Sequence, residues 1–416
     1  MFGFWSLVFA HFMRVLIPTV TAGAGHLQAA VALEEAWRAL RPDDEVRRVD
    51  VLDYTPRWYR KIYVKGYLKL IEHAPELYAM VFKKTDNPAR IKELTKFRRR
   101  SSRLMAAKFV KELVEFAPEV VLSPHYLPLE ILGGVLASRR LRKKLGAAQV
   151  EAIALRPQSA APSRTRSASP ATLPMPFITC IVTDFEAHAL WMEPCVNLYC
   201  VAAPATKARL VARGANDTDV QVTGIPIAAK FSARVDGGEM RAQFGFKAGV
   251  PTLLVLGGGF GMGPVREILA ELDKIDRVLQ IIVVCGKNEK LRVQVAAAPQ
   301  RHATQVLGFA TNMHELMAAS DLILTKPGGL TTSEALAMGK PLLILNPIPG
   351  QEAANSDFLL EQGAAVKVNC VEDLPFKITT LLDSKKLAQM ARAARGLGQP
   401  RAAAEICRAA MQRTAS

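Results

Sequence analysis

Twice in this 416-residue chain a run of apolar residues ends in glycines and passes directly into a helix-like stretch. The first instance is RVLIPTV (14–20), TAGAGH (21–26) and LQAAVALEEAWRAL (27–40). The second is PTLLVLGGGFGMGP (251–264), with Pro264 near the first position of the helix it leads into. An apolar run without alternation, bounded by turn residues, reads as a strand covered on both faces. Strand, glycine turn and helix together open a doubly wound α/β unit. Two such openings predict an α/β protein with two halves in succession. Further buried strands are expected at EVRRVDVLD (45–53), PEVVLSP (118–124), PFITCIVTD (176–184), LQIIVVCG (279–286), DLILTKPGG (321–329) and PLLILNP (341–347). The boundary falls near TGIPI (223–227), giving a first domain of 14–222 and a second of 223–416 whose last helix has the option of crossing back. RPQSAAPSRTRSASPATLP (156–174) has no apolar period and reads as a mobile loop inside the first domain.

No apolar run reaches the roughly 18–20 residues that span a bilayer. Residues 1–13, MFGFWSLVFAHFM, are apolar but lack a basic leading region and a small-residue cleavage site. That argues against a signal peptide. The segment reads as an extension upstream of a start at Met13, or as a short interfacial anchor. Six cysteines without a CxxC pair fit reduced thiols in a cytoplasmic protein.

The net charge is +16, and it is concentrated. Residues 57–144 hold 21 Lys/Arg against 8 Asp/Glu. RWYRKIYVKGYLKLI (57–71) interleaves Trp58, Tyr59, Tyr63 and Tyr67 with cations, and KFRRRSSR (96–103) and RRLRKK (139–144) add two clusters. Rings among cations suit the headgroup region of an anionic bilayer. The same pattern suits RNA, and a solvated helix face is the third reading.

Several residues are equipped for chemistry. His26 ends a Gly-rich turn at a helix start, where Gly23 and Gly25 allow positive φ and close ligand approach. The positive helix end favours a neutral imidazole, which can take a proton from a hydroxyl; a helix-capping histidine is the other reading. LGGGFGMG (256–263) offers backbone N–H groups to a diphosphate, or glycines for packing alone. No GK[ST] comes after it, so it is not a Walker loop. In KPGGLTTSEALAMG (326–339) a helix is expected from Thr331, with Glu334 in its first turn as a cap or as acceptor for two ribose hydroxyls. NPIPGQEAAN (346–355) brings Gln351, Glu352 and Asn355 to a strand end, with side chains suited to sugar hydroxyls. In VTDFEAHALW (182–191), Asp184 and His188 are four apart and could share a helix face, too few for a metal site. Asp217-Thr218-Asp219 resembles a metal-binding pair but sits in a polar surface turn.

Taken together, TAGAGHLQAA (21–30), VTDFEAHALW, VTGIPI (222–227), the GGGFGMG loop, GFATNMHELMAASDLILTKPGG (308–329) and GQEAAN (350–355) resemble the diacylglycerol glycosyltransferases that make monogalactosyl- or monoglucosyl-diacylglycerol. The peptidoglycan-lipid N-acetylglucosaminyltransferases are relatives of that family. The resemblance implies a GT-B fold, two Rossmann-like domains facing each other across a cleft. It implies transfer from UDP-glucose or UDP-galactose to diacylglycerol in an anionic membrane, with no cofactor, no metal and no nucleic acid. It places the protein peripherally on the cytoplasmic face of the cell membrane.

The same resemblance implies a role for each candidate residue. His26 is the base, and Asp184 orients the acceptor or His26. Gly258, Gly259, Gly261 and Gly263 hold the diphosphate, and the Phe309–Met313 segment borders the uracil. Glu334 holds the ribose, Gln351 and Glu352 hold the hexose, and Gly328, Gly329 and Thr331 belong to the UDP-sugar site. Gly25, Trp58, Tyr63, Arg98, Arg99, Arg100, His188 and Trp191 face the acceptor and membrane. Asn197, where the family often has Asp, and the 156–174 insert depart from the pattern. A UDP-sugar epimerase of the same fold, transfer to a polyprenyl-linked precursor, and a non-enzymatic RNA- or membrane-binding protein are the competing readings.

Overall fold

The computed structural model describes residues 12–21, 23–154, 175–258, 263–345 and 347–415. Residues 1–11, the 156–174 insert, and Gly259 and Gly261 lie outside them. The first half builds one sheet from β1 (Arg14–Thr19), β2 (Glu45–Asp50), β3 (Val120–Ser123), β4 (Phe177–Ile181), β5 (Leu198–Val201) and β6 (Val220–Val222). The second sheet takes β7 (Thr252–Leu256), β8 (Gln280–Val284), β9 (Ala303–Leu307), β10 (Leu322–Thr325), β11 (Leu342–Leu345) and β12 (Ala365–Val368). Every pairing in both sheets is parallel. β3, β5, β8, β10 and β11 are buried along their whole length, which is why they read as continuous apolar runs.

Helices cover both faces. In the first half they are α1 (Ala24–Leu40), α2 (Arg57–His73), α3 (Pro75–Thr85), α4 (Pro88–Met105), α5 (Ala107–Phe116), α6 (Tyr126–Ala137), α7 (Arg139–Ala154) and α8 (Pro204–Ala212). In the second they are α9 (Gly237–Gln243), α10 (Val265–Leu272), α11 (Glu289–Ala297), α12 (Met313–Ala319), α13 (Gly329–Ala337), α14 (Gln351–Glu361), α15 (Leu374–Leu382), α16 (Lys386–Leu397) and α17 (Ala402–Ala415). The last helix returns to the first half. Ile406, Cys407 and Ala410 join Leu33 and Trp37 of α1 in one buried cluster.

The strand orders are β2-β1-β3-β4-β5-β6 and β12-β11-β10-β7-β8-β9. Each order reverses once, between β1 and β3 and between β7 and β10. Ligands of open α/β sheets bind outside the carboxyl ends of the strands at such reversals. The first opens onto Gly23–His26 and Pro124–His125; the second opens onto Gly257, Gly258, Gly263 and Pro264 and onto Lys326–Gly329.

The halves meet closely at these edges. A Cβ on Gly329 would lie 1.9 Å from the Thr183 carbonyl oxygen, and one on Gly25 would touch Leu330 at 3.5 Å. Phe185 of the first half stacks on Phe358 of α14 with ring centroids 4.6 Å apart. Asn355, fully buried on α14, accepts from the Phe185 N–H at 2.8 Å and donates to Asp184 at 3.1 Å and to the Pro327 carbonyl at 3.0 Å. It fastens the two halves together and does not face the cleft as a sugar ligand, contrary to the sequence expectation.

Two helices begin earlier than the sequence indicates. α1 starts at Ala24, so Gly25 and His26 are already helical, and neither Gly23 nor Gly25 has a positive φ. A Cβ on Gly25 would make only ordinary contact with Leu330 of α13. α13 starts at Gly329, which puts Glu334 in its second turn, where it caps nothing. Residues 184–188 form no helix, so Asp184 and His188 share no helix face.

Candidate active site

A cavity of about 430 Å³ opens at the first reversal and is lined from both halves. His26 stands at its floor. The ring Nδ1 lies 3.0 Å from the Pro124 carbonyl oxygen and 3.1 Å from Thr183 Oγ1. A carbonyl only accepts, so Nδ1 carries the proton and Nε2 keeps its lone pair. Burial pulls the ring's pKa down from 6.5 to about 4 and outweighs the opposing hydrogen bond to Pro124. The imidazole is therefore neutral, and desolvation is the leading cause.

Asp184 also lines the cavity, its pKa raised by burial to about 6 and partly restrained by Asn355. Its carboxylate accepts from Asn355, whereas His26 is held by Pro124 and Thr183. Of its two expected roles, orienting His26 is not supported by this geometry. His188 is buried, accepts from the Leu190 N–H through Nδ1 and donates from Nε2 to the Phe82 carbonyl at 3.0 Å. Trp191 and Tyr63 complete the wall, the latter through a 3.1 Å contact with the Tyr126 hydroxyl.

The roof comes from α3, which bridges the halves. Tyr78 Oη donates to Gln351 Oε1 at 2.6 Å, placing the first residue of α14 at the same cavity as His26. Gly350 has a φ of +94°, and a Cβ there would strike the Phe82 ring. Glu352, next along, accepts from the Ile348 N–H at 2.8 Å, and burial raises its pKa.

The second reversal holds the remaining candidate residues. Gly258 and Gly263 take φ values of +76° and +156°, and a Cβ at either meets nothing within 4 Å. These glycines serve backbone conformation and open space, not packing. Phe309 is 54% exposed, with the Lys287 ammonium 5.8 Å from its ring centroid, while Met313 packs into the core beneath. Gly328 precedes α13, and Thr331 is half-buried in its first turn.

Glu334 is half-buried on α13, and desolvation raises its pKa from 4.5 to about 8, against the attraction of Lys230. The free protein therefore prefers the protonated form, and its stability falls as pH rises from about 4.5 through 8, because the unfolded chain ionises first. Glu334→Gln removes that pH dependence, worth on the order of a few kcal/mol at most. Thermal melts are expected to show the variant gaining on the wild type more at pH 8 than at pH 5. A variant whose advantage does not grow with pH would contradict this assignment.

The basic segment divides in two. Arg98 pairs with buried Glu130, and Arg99 with buried Glu193 at 2.6 Å. Both turn inward and fasten α4 to the body, so neither is available to a membrane as expected. Arg100 is exposed, as are Arg139, Arg140, Arg142, Lys143 and Lys144. Apolar side chains are exposed as well: Trp58 and Ile62 on α2, Leu77, Met80 and Val81 on α3, and Phe97 on α4, the last 73% exposed. Tyr67 lies among side chains not described. No helix among the described residues is long and apolar enough to cross a membrane. Asp217 and Asp219 pair with Lys207 and Arg413. Among the described residues no three His, Cys, Asp or Glu side chains converge as a metal site.

Local sequence patterns do not single out His125, Pro124, Thr183 or Tyr78 for this site. His125 carries a signal, since it directly follows the strand-like run 118–124. Pro124 acts through its backbone carbonyl, Thr183 through a hydroxyl that meets His26 from 157 positions away, and Tyr78 by crossing the cleft, none of which a local pattern encodes.

Two parallel α/β domains meeting at a cleft, with a neutral histidine on one side and glycine loops on the other, are the GT-B architecture of glycosyltransferases. Solved structures with this fold include MurG of Acinetobacter baumannii (TM-score 0.54, 16% identity, 96% of this chain and 99% of that one). HepE of Anabaena in complex with UDP-glucose is another (TM-score 0.52, 13% identity, 97% and 99%). Residues 26–150 and 167–227 match the family model for monogalactosyldiacylglycerol (MGDG) synthase, and residues 252–406 match the C-terminal domain of glycosyltransferase family 28. The first half of the chain is thus similar to MGDG synthases and the second to the family 28 glycosyltransferases. A processive diacylglycerol beta-glucosyltransferase of Bacillus pumilus is 37% identical over 213 residues, 50% of this chain and 56% of that protein. A probable chloroplastic MGDG synthase of Glycine max is 28% identical over 407 residues, 94% of this chain and 70% of that protein. The chain spans about half the length of the first of these relatives.

Proposed function

We propose that this protein transfers a hexose from a UDP-sugar to the free hydroxyl of 1,2-diacylglycerol, giving a β-glycosyl-diacylglycerol. The observation that carries this reading is the placement of His26, with its bare Nε2, in one cavity with Gln351 of the opposite half. The acceptor oxygen gives its proton to His26 Nε2 as it bonds to the anomeric carbon. The bond from that carbon to the diphosphate breaks, and its electron pair leaves with UDP. In-line attack on an α-linked donor inverts the configuration. Backbone N–H groups around Gly258–Gly263 and the start of α10 stabilise the departing charge, so the reaction needs no resident metal. Glu334 receives the ribose hydroxyls, the exposed Phe309 borders the uracil, and Gln351 and Glu352 read the hexose.

A lipid acceptor requires the enzyme to sit on the bilayer. The exposed apolar side chains of α2, α3 and α4, surrounded by Lys and Arg, support peripheral attachment to an anionic surface, the cytoplasmic face of the cell membrane.

Purified protein incubated with anionic vesicles containing diacylglycerol, and with labelled UDP-glucose or UDP-galactose in turn, should yield a glycosyl-diacylglycerol, at the same rate in EDTA. A rate that collapses in EDTA and returns with a divalent cation would overturn the metal-free part. Formation of an epimeric UDP-sugar without acceptor, and no glycolipid with it, would overturn the transferase reading.

A further inference from the structure

A second imidazole stands beside the base. His125 follows β3 as His26 follows β1, and because these strands are neighbours the rings meet edge to face with centroids 4.6 Å apart. His125 is 3% exposed and lines the same cavity. Its Nδ1 accepts from the Leu127 N–H at 3.0 Å, capping α6. In a neutral ring the proton must then reside on Nε2, which has no hydrogen-bond partner among the described residues. His26 is locked the opposite way, with its proton on Nδ1 toward Pro124. One cavity thus presents an imidazole nitrogen that accepts and, beside it, an imidazole N–H that donates.

We propose that His125 selects the acceptor by donating from Nε2 to the ester on the carbon next to the reacting hydroxyl, while that hydroxyl donates to His26. The pair then reads two oxygens on adjacent carbons of a glycerol, one as donor and one as acceptor, and discriminates against a long-chain alcohol with a hydroxyl alone. This rests on the diacylglycerol reading above. Such a site rejects an analogue lacking the second oxygen, because the buried N–H is then left unpaired.

Two substitutions separate this role from capping. His125→Asn keeps a good capping oxygen for Leu127 but loses the distal donor. His125→Gln keeps an amide N–H at that reach and loses the cap. Each is assayed in vesicles with 1,2-dioleoylglycerol and with a monoacyl propane-1,3-diol, which lacks the neighbouring ester. The Asn variant is expected to lose about tenfold in kcat/KM on the diacylglycerol, the worth of one hydrogen bond in a buried site. It is expected to fall little on the diol, so that the wild-type preference disappears, and the Gln variant restores most of it. Equal losses on both acceptors, or an Asn variant that keeps the preference while the Gln variant fails, would overturn the proposal. A wild type that glycosylates neither acceptor overturns the function itself, and this role with it.

Discussion

His26→Ala is expected to lower hexose transfer at least a hundredfold while UDP affinity stays within about twofold of the wild type. General-base catalysis by a positioned side chain contributes about 10² to 10⁴ in rate. The ring is held by the Pro124 carbonyl and Thr183, both of the first half, so its removal leaves the second half's glycine loops intact. Turnover measured beside a UDP titration checks both parts. Undiminished turnover would reject the base assignment. The wild-type profile carries a second mark of the same group. Because burial holds the pKa at about 4, the acid limb of kcat/KM should lie well below the ordinary imidazole value of 6.5.

The second large effect is expected at Gly329, which has no side chain to offer the chemistry. An added Cβ would lie 1.9 Å from the Thr183 oxygen and 3.0 Å from its carbonyl carbon, both backbone atoms. Neither can rotate aside, so α13 must back away from the first half. Thr183 also touches His26, and the displaced helix carries Glu334. A misplacement on the order of 1 Å in such a site can cost about a hundredfold in rate. Overpacking of this kind typically costs about 1–3 kcal/mol of stability. Gly329→Ala should therefore lose transfer about a hundredfold and melt several degrees lower. Gly66→Ala, on α2 where a Cβ meets nothing within 4 Å, should hold or gain stability. Equal behaviour of the two variants would show that the halves are not in contact as described.

Much of this arrangement is legible locally. The continuous apolar runs mark the strands, since parallel strands covered on both faces bury every side chain. The glycine turns mark the strand ends where ligands bind, and His26, Gln351 and Glu334 stand out by chemistry and position. Helix starts are less legible. At TAGAGH and KPGGLTTS, small residues fit turn and helix alike, and packing of α1 against α13 settles the choice. The cationic segment is ambiguous for a related reason. Arg98 and Arg99 resemble Arg100 in sequence, yet Glu130 and Glu193, 32 and 94 positions away, draw the first two inward.

The chain's own order of residues determined two sheet-forming halves, a histidine after the first strand and glycine-rich turns in the second half. Those are properties of a residue and its near neighbours. Only the tertiary structure decided that β3 lies beside β1, which pairs His125 with His26, and that Asn355 faces Asp184 and Phe185 across the halves. Such partners are far apart along the chain. Their meeting depends on strand order and domain packing, which follow from the burial of the whole surface and leave no mark in any short stretch of sequence.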